Sequence, residues 1–154
     1  MRQLGNLAKI PEFDKAFWKH LGDEICDEIR VQTQVNSKDV HNRKFKAYSR
    51  GYAERKPKIR RGSGSGSKVN LTLTGDMMRN LQTRGFSKDS VIIGWSGVDA
   101  QKVQHNEEMG RAVTTKSRPL SKGSLRLIEV QTNKRIKRNA DKETAKPINF
   151  KIGK

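Results

Sequence analysis

The sequence predicts a small α+β fold: a small antiparallel sheet packed by a long N-terminal helix and shorter helices, with an extended basic arm and a C-terminal tail. Three observations carry this expectation. Phe13, Phe17, Leu21, Ile25 and Ile29 recur every four residues, the spacing of one helical face. Val91, Ile92 and Ile93 are consecutive and β-branched, the composition of a buried strand. Leu, Ile, Val and Phe together make up only about 21% of the 154 residues. That is just above the level at which a highly charged chain stays disordered, so one small core with long arms is expected. The chain is read as a single domain over 1–154: a helix at 11–34, a flexible basic arm at 43–68, an α+β body at 69–140 and a tail at 141–154.

The first helix begins near Pro11, a residue suited to a first helical turn. Glu12 and Asp14 place negative charge at the positive end of its dipole. Lys15, Lys19, Asp23, Glu24, Asp27 and Arg30 occupy the opposite face, which makes this the least basic part of the chain. A core helix packed on a sheet is preferred over a partner-binding helix. Gly22 weakens the helix slightly. Asp23, Glu24, Asp27 and Glu28 crowd one region, but flanking Lys19 and Arg30 point to ordinary ion pairs rather than a metal site.

Residues 36–42 are rich in turn formers, and 43–68 follow as the densest positive segment. This arm carries ten Lys or Arg against one acidic residue, Glu54. Its candidate contact residues for a partner protein or DNA are Arg43, Lys44, Lys46, Arg50, Arg55, Lys56, Lys58, Arg60 and Arg61. Phe45, Tyr48 and Tyr52 are interleaved with them, the pattern of a single-stranded nucleic-acid surface. A short helix or strand whose aromatics pack inward beneath solvated charges is the simpler alternative. Pro57 argues against a regular helix, and the Gly/Ser run at 62–67 has the composition of a flexible coil.

Val69, Leu71 and Leu73 alternate with Asn70, Thr72 and Thr74, the period of a half-buried strand. Thr74, Gly75 and Asp76 form a strand-to-helix turn, with Thr74 or Asp76 as the cap. Met77, Met78 and Leu81 then follow at helical spacing. Segments 69–74, 83–87 and 90–95 supply two or three antiparallel strands. A helix over 98–109 is expected to stop at Gly110, and Pro119 fixes the loop after it. A last helix spans about 121–140. Its basic end supplies the second set of candidate contacts, Lys134, Arg135, Lys137 and Arg138. Ile148, Phe150 and Ile152 alternate in the tail, the pattern of a short docking strand.

Catalytic and cofactor signatures are missing from the sequence. His20, His41 and His105 are far apart and lack zinc-site spacing, and the Gly/Ser run lacks the strand-before, helix-after context of a phosphate loop. The expectation is a non-enzymatic protein with no cofactor and no metal. The lone Cys26 excludes an internal disulfide and falls within the helical pattern as a small core residue. No apolar run approaches membrane-spanning length, and MRQLGNLAKIPEF lacks a signal-peptide core, so a cytoplasmic site of synthesis is expected.

The order of these features resembles a known family. LTLTG-x-M-x-R-x-L at 71–81 is similar to the L-t-x-T-G-x-L-x-x-S-I signature of tailed-phage virion-morphogenesis proteins, the Mu-type tail-completion group. The aromatic, lysine-rich segment 45–56 and the glycine-bearing strand 91–95 fall in the family's order. Ala100, Val103, His105 and Gly110 approximate its Y-A-x-x-H-x-x-G helix, and Arg118, Pro119 and Leu120 its R-P-F-L motif. Asp99 stands where the family often has tyrosine, the spacing to Gly110 is longer, and Leu120 replaces phenylalanine. The resemblance covers roughly residues 40–138. It implies a structural virion protein that completes the tail or joins head to tail in the neck. It also implies a homo-oligomeric ring, for which a hexamer is one candidate, held by neighbouring neck and tail proteins around channel DNA. The net charge of +17 supports one alternative from another class, a basic nucleic-acid-binding protein associated with ribosomes or packaging.

Overall fold

The computed structural model describes residues 13–59, 68–72 and 75–144. Among these residues the chain is a small α+β fold in which five helices surround one antiparallel hairpin. Helix α1 spans Lys15–Arg30. Asp14 is its N-cap, in extended conformation, and its Oδ1 accepts the Phe17 N–H at 2.7 Å. The expected start at Pro11 and Glu12 lies outside the described residues. Helix α1 buries Leu21, Gly22, Ile25, Cys26 and Ile29, the apolar stripe of the sequence with Cys26 within it. Burial raises the Cys26 thiol above its ordinary pKa and keeps it protonated.

Beyond Arg30 the helix widens into a π-helical turn, Val31–Val35. The Asn36 N–H reaches the Val31 carbonyl, five residues back, at 2.9 Å. Gln32 and Thr33 are buried on this turn, and the Gln32 amide donates to the Asp39 carbonyl. The carboxylate of buried Asp39 then organises the following loop. It accepts the His41 and Arg43 N–H groups at 2.9 and 2.8 Å and the Arg43 guanidinium at 3.0 Å.

Two expectations fail in the middle of the chain. The arm expected to be flexible over 43–68 forms helix α2 at Arg50–Ile59, with Pro57 inside it. Pro57 is the third residue from the helix end, so the hydrogen bond its missing N–H removes, and the crowding of its ring on the carbonyl four residues back, disturb only the last turns. Residues 60–67 lie outside the described residues. Segment 68–72 is irregular rather than a strand. Leu71 has a φ of 51°, which turns the chain out of the extended region. Its N–H goes to the Tyr48 hydroxyl at 3.1 Å, and the Thr72 N–H goes to Asn70 Oδ1 at 3.1 Å. These backbone donors are satisfied by side chains, not by a neighbouring strand.

The single-turn helix α3 covers Asp76–Arg79. The N-cap position belongs to Gly75, at φ 84°, and Asp76 sits one residue inside, paired with Arg79. This corrects the expectation that Asp76 caps the turn; Thr74 lies outside the described residues. Met77, Met78 and Leu81 enter the core with Leu21, Ile25, Cys26, Ile29, Val103 and Val113.

Strands β1 (Gln82–Phe86) and β2 (Val91–Gly94) pair antiparallel, with a bulge between Thr83 and Gly85. The hairpin lies on α1. A Cβ at Gly22 would stand 2.6 Å from Val91 Cγ2 and 2.7 Å from Thr83 Oγ1, so only glycine allows this approach. The Trp18 indole donates to the Lys88 carbonyl at 2.8 Å and pins the hairpin tip. On the other side Arg30 bonds the Met78 carbonyl at 3.0 Å and the Leu81 carbonyl, joining α1 to α3 and the start of β1.

Helix α4 spans Gly97–Glu108 and ends as expected at Gly110. Gly110, at φ 76°, donates to the Glu107 carbonyl at 2.8 Å, and Arg111 donates to the Asn106 carbonyl at 2.7 Å. This pair of bonds is a Schellman motif. In the loop before the last helix, Thr115 and Arg118 close a turn through their backbones at 3.1 Å, and Pro119 follows. Helix α5 runs over Lys122–Thr144, four residues beyond the expected end. The Ser121 hydroxyl accepts the Ser124 N–H at 3.1 Å at its start. It runs antiparallel to α1, through Gln131 to Glu24 at 3.0 Å and Arg135 to Asp14 at 2.6 Å. The alternating tail residues Ile148, Phe150 and Ile152 lie outside the described residues.

Three carboxylates are held below the ordinary aspartate value of 3.8. Asp14 is lowered mainly by the Phe17 N–H, Asp23 by the Lys19 ammonium and the Thr83 hydroxyl, and Asp99 by Lys102 and Asn80. A depressed folded-state pKa contributes stability above the unfolded value and loses it as pH falls through the folded one. The thermal midpoint is therefore expected to hold at mildly acidic pH and to fall once the pH drops below 3.8. Melting curves across that range check it, and replacing the three aspartates with asparagine flattens the acid limb.

Candidate functional site

The two basic segments lie apart, one on α2 and the stretch before it and the other on α5. Arg43, Lys44 and Lys46 are exposed on the extended stretch before α2, and Arg50, Arg55 and Lys58 are exposed on α2 itself. Arg43 is paired with Asp39 at 2.9 Å and Arg50 with Glu54 at 2.9 Å. The Arg55 guanidinium bonds the Gly51 carbonyl at 3.0 Å. Arg60 and Arg61 lie outside the described residues. On α5, Lys134, Lys137 and Arg138 are exposed, whereas Arg135 is half-buried in its pair with Asp14. Arg135 thus ties α5 to the cap of α1.

Lys56 departs most from the expected contact surface. It is 0% exposed, and its ammonium donates to Asn70 Oδ1 and lies 5.0 Å from the centre of the Tyr48 ring. Burial lowers its pKa from the ordinary lysine value. Helix α2 turns this position inward, against the expectation that its charge is solvated. Amine-reactive labelling of the native chain is expected to modify Lys44, Lys46 and Lys58 readily and to leave Lys56 protected until denaturant is added. Peptide mapping by mass spectrometry reads this directly.

The aromatics of this region pack inward. Phe45 is buried, and Tyr48 and Tyr52 meet edge to face with centroids 4.8 Å apart. The Tyr48 hydroxyl accepts the Leu71 N–H, and burial raises its pKa. Both rings line a cavity of about 630 Å³ whose walls also include Leu71, Met77, Met109 and Arg111. Its lining is drawn from α2 and the segment before it, the turn into α3, and the end of α4.

Arg111 is the residue that sequence reasoning missed. It is only 7% exposed. Its Nε donates to the Lys46 carbonyl and its Nη2 to the Ala47 carbonyl, each at 3.0 Å. Nη1 lies 3.4 Å from Met109 Sδ, and the guanidinium sits 5.0 Å from the centre of the Tyr48 ring. Arg111 therefore clamps the stretch before α2 onto the end of α4. Among the described residues no carboxylate is in ion-pair contact with it. The sequence signal was slight: one arginine directly after a helix-ending glycine. Cation–aromatic packing here is internal, so Tyr48 is a scaffold before it is a stacking platform.

Nothing in the lining is arranged as a nucleophile with a base. His105 pairs with Glu108 at 3.6 Å and Lys102 with Asp99 at 2.7 Å, both along α4. Elsewhere, Lys19 pairs with Asp23 at 2.7 Å along α1, the ion pair expected there. No helix among the described residues is long and apolar enough to cross a membrane. No family model, curated protein or solved structure matches the chain.

Proposed function

We propose that this chain is a non-enzymatic structural subunit of a tailed bacteriophage, acting in tail completion or head–tail joining. On this reading it works in the virion neck, by assembling with copies of itself into a ring and by binding neighbouring neck and tail proteins. The ordered motifs over 40–138 support it. The observation that carries it furthest in the fold is the outer face of α5. Leu125, Val130 and Ile136 are exposed there, while Leu127 and Ile128 of the same helix pack against the core. Ile92 and Val98, at 64% and 65% exposure, add apolar surface around the hairpin. A chain with so small a core leaves such side chains exposed at a cost that assembly removes.

The test is the mass of the purified full chain by light scattering, alone and with its neck partners. Discrete ring-sized assemblies are expected, and Val130→Asp with Ile136→Asp should abolish them without changing the circular dichroism of the subunit. A chain that stays monomeric with every partner overturns the reading.

A second reading, nucleic-acid binding, is favoured by six exposed cations on one stretch, Arg43, Lys44, Lys46, Arg50, Arg55 and Lys58. It requires affinity that falls steeply with salt and weakens on replacing Arg60 and Arg61. Binding that is absent near physiological salt removes it.

A further inference from the structure

The cavity between α2, the turn into α3 and the end of α4 contains a buried cation without a counter-ion among the described residues. A guanidinium has five N–H donors. Those of Arg111 reach two backbone carbonyls and one thioether sulfur, which leaves two without an acceptor among the described residues. Burying a charge is costly unless it is paired, and a partner anion supplied inside the same low-dielectric site recovers much of that cost. Glu108, three residues before Arg111, is paired with His105, exposed Glu107 makes no ion pair with the guanidinium, and Asp99 at the other end of α4 is paired with Lys102. The chain as a whole is short of anions, at +17. Arg111 is thus a site of unmet charge in a chain that has little to offer it.

The rest of the lining defines what must accompany the anion. Leu71, Met77 and Met109 make apolar walls, and the Tyr48 and Tyr52 rings close one side. Methionine thioethers and aromatic faces adapt to apolar side chains of varied shape. A space of about 630 Å³ is in the range that encloses a small apolar ligand or a few side chains. A phosphodiester strand needs a row of solvent-facing cations, whereas in this lining Lys102 is paired with Asp99 and His105 with Glu108, which leaves the buried Arg111 guanidinium as the lining cation without a carboxylate partner among the described residues. The exposed cations of 43–58 lie outside it.

We propose that this cavity is a docking site for an acidic–apolar segment of a partner protein: an apolar side chain fills the space between Tyr52, Met77 and Met109, and an adjacent carboxylate accepts the free Arg111 donors. The site stands whether or not the chain belongs to a phage neck, because it rests on Arg111 and the cavity alone. Binding also couples to the fold. Arg111 holds the carbonyls of Lys46 and Ala47, so a carboxylate on the same guanidinium tightens the join between the stretch before α2 and the end of α4.

The test uses the full, isotope-labelled chain and three probes: phenylbutyrate, its neutral analogue phenylbutyramide, and a short oligothymidylate. Phenylbutyrate is expected to shift the Tyr48, Tyr52, Met77 and Met109 resonances and the Arg111 Nε–H signal in a saturable manner. It should bind about tenfold more tightly than the amide, the difference expected of a charge-assisted hydrogen-bonded pair. Arg111→Gln should bring acid and amide to the same affinity. Should that variant lose its folded spectrum, Tyr52→Ala takes its place and is expected to weaken both compounds severalfold while the acid keeps its preference. Equal binding of acid and amide to the unaltered chain overturns the proposal. So do shifts confined to the exposed basic residues of 43–58, or displacement of phenylbutyrate by oligothymidylate, which would make this a nucleic-acid site. None of these outcomes depends on ring assembly, so the proposed function and this site can fail separately.

Discussion

Gly22→Ala is expected to destabilise the protein by about 2 kcal/mol, the balance of an overpacking cost and a smaller gain in helix propensity. Alanine in a helix interior is ordinarily better than glycine by up to about 1 kcal/mol, so propensity alone predicts the opposite sign. Packing decides the outcome. The new methyl would lie 2.6 Å from Val91 Cγ2 and 2.7 Å from Thr83 Oγ1, on both strands of the hairpin at once. Neither neighbour is the free end of a long side chain, so the hairpin must lift from α1. Gly51→Ala is the matched control. Gly51 lies in α2, and a methyl group added there would meet nothing within 4 Å, so alanine should stabilise by about 0.5–1 kcal/mol. Urea titration of both variants reads the two signs side by side. A stabilised Gly22→Ala would mean that the hairpin is not seated on α1.

Leu81→Ala should cost more, about 3 kcal/mol, within the range for truncating a buried leucine. Leu81 is 0% exposed and sits between the end of α3 and the start of β1. Its carbonyl is held by Arg30, which also bonds the Met78 carbonyl, so the surrounding backbone is tied and cannot collapse freely into the space left behind. For a core this small, such a loss removes a large share of total stability. Denaturant midpoints measure it, and a cost below about 1 kcal/mol would show that the site relaxes around the missing methyl groups.

How much of this was legible in the sequence depended on whether the signal was local. The four-residue spacing from Phe17 to Ile29 was enough to read α1, and Gly110 enough to read the end of α4. Both are decided within a turn or two of helix. The strand expected at 69–74 was not decided locally. Its alternation was real, but the N–H groups of Leu71 and Thr72 found side-chain acceptors, Tyr48 and Asn70, and the former lies more than twenty residues away. Helix α2 was half legible, since a short helix or strand with inward-packed aromatics was the simpler reading of 45–56, but its run through Pro57 was not. Pro57 and the dense positive charge both argued for coil, yet the proline falls near the helix end and Lys56 turns inward over Tyr48. The candidate site followed the same rule. Exposed cations could be named from composition, whereas Arg111 acquires its character only when α4 brings it against the Lys46 and Ala47 carbonyls. Gly22 was readable as a weak point of a helix, but its purpose lay in a hairpin sixty residues later.

The irregular pairing of β1 and β2 bears on how newly made copies of the chain meet one another. A two-stranded ribbon leaves the outer backbone of each strand unengaged among the described residues, and Ile92 adds greasy surface beside it. In a crowded cell that combination invites promiscuous sticking between newly made copies. The kink between Thr83 and Gly85 spoils the straight template such sticking requires, and Arg84 within it adds a charge that a stray strand would have to desolvate. Straightening the ribbon would therefore trade a small local defect for a shorter shelf life in solution.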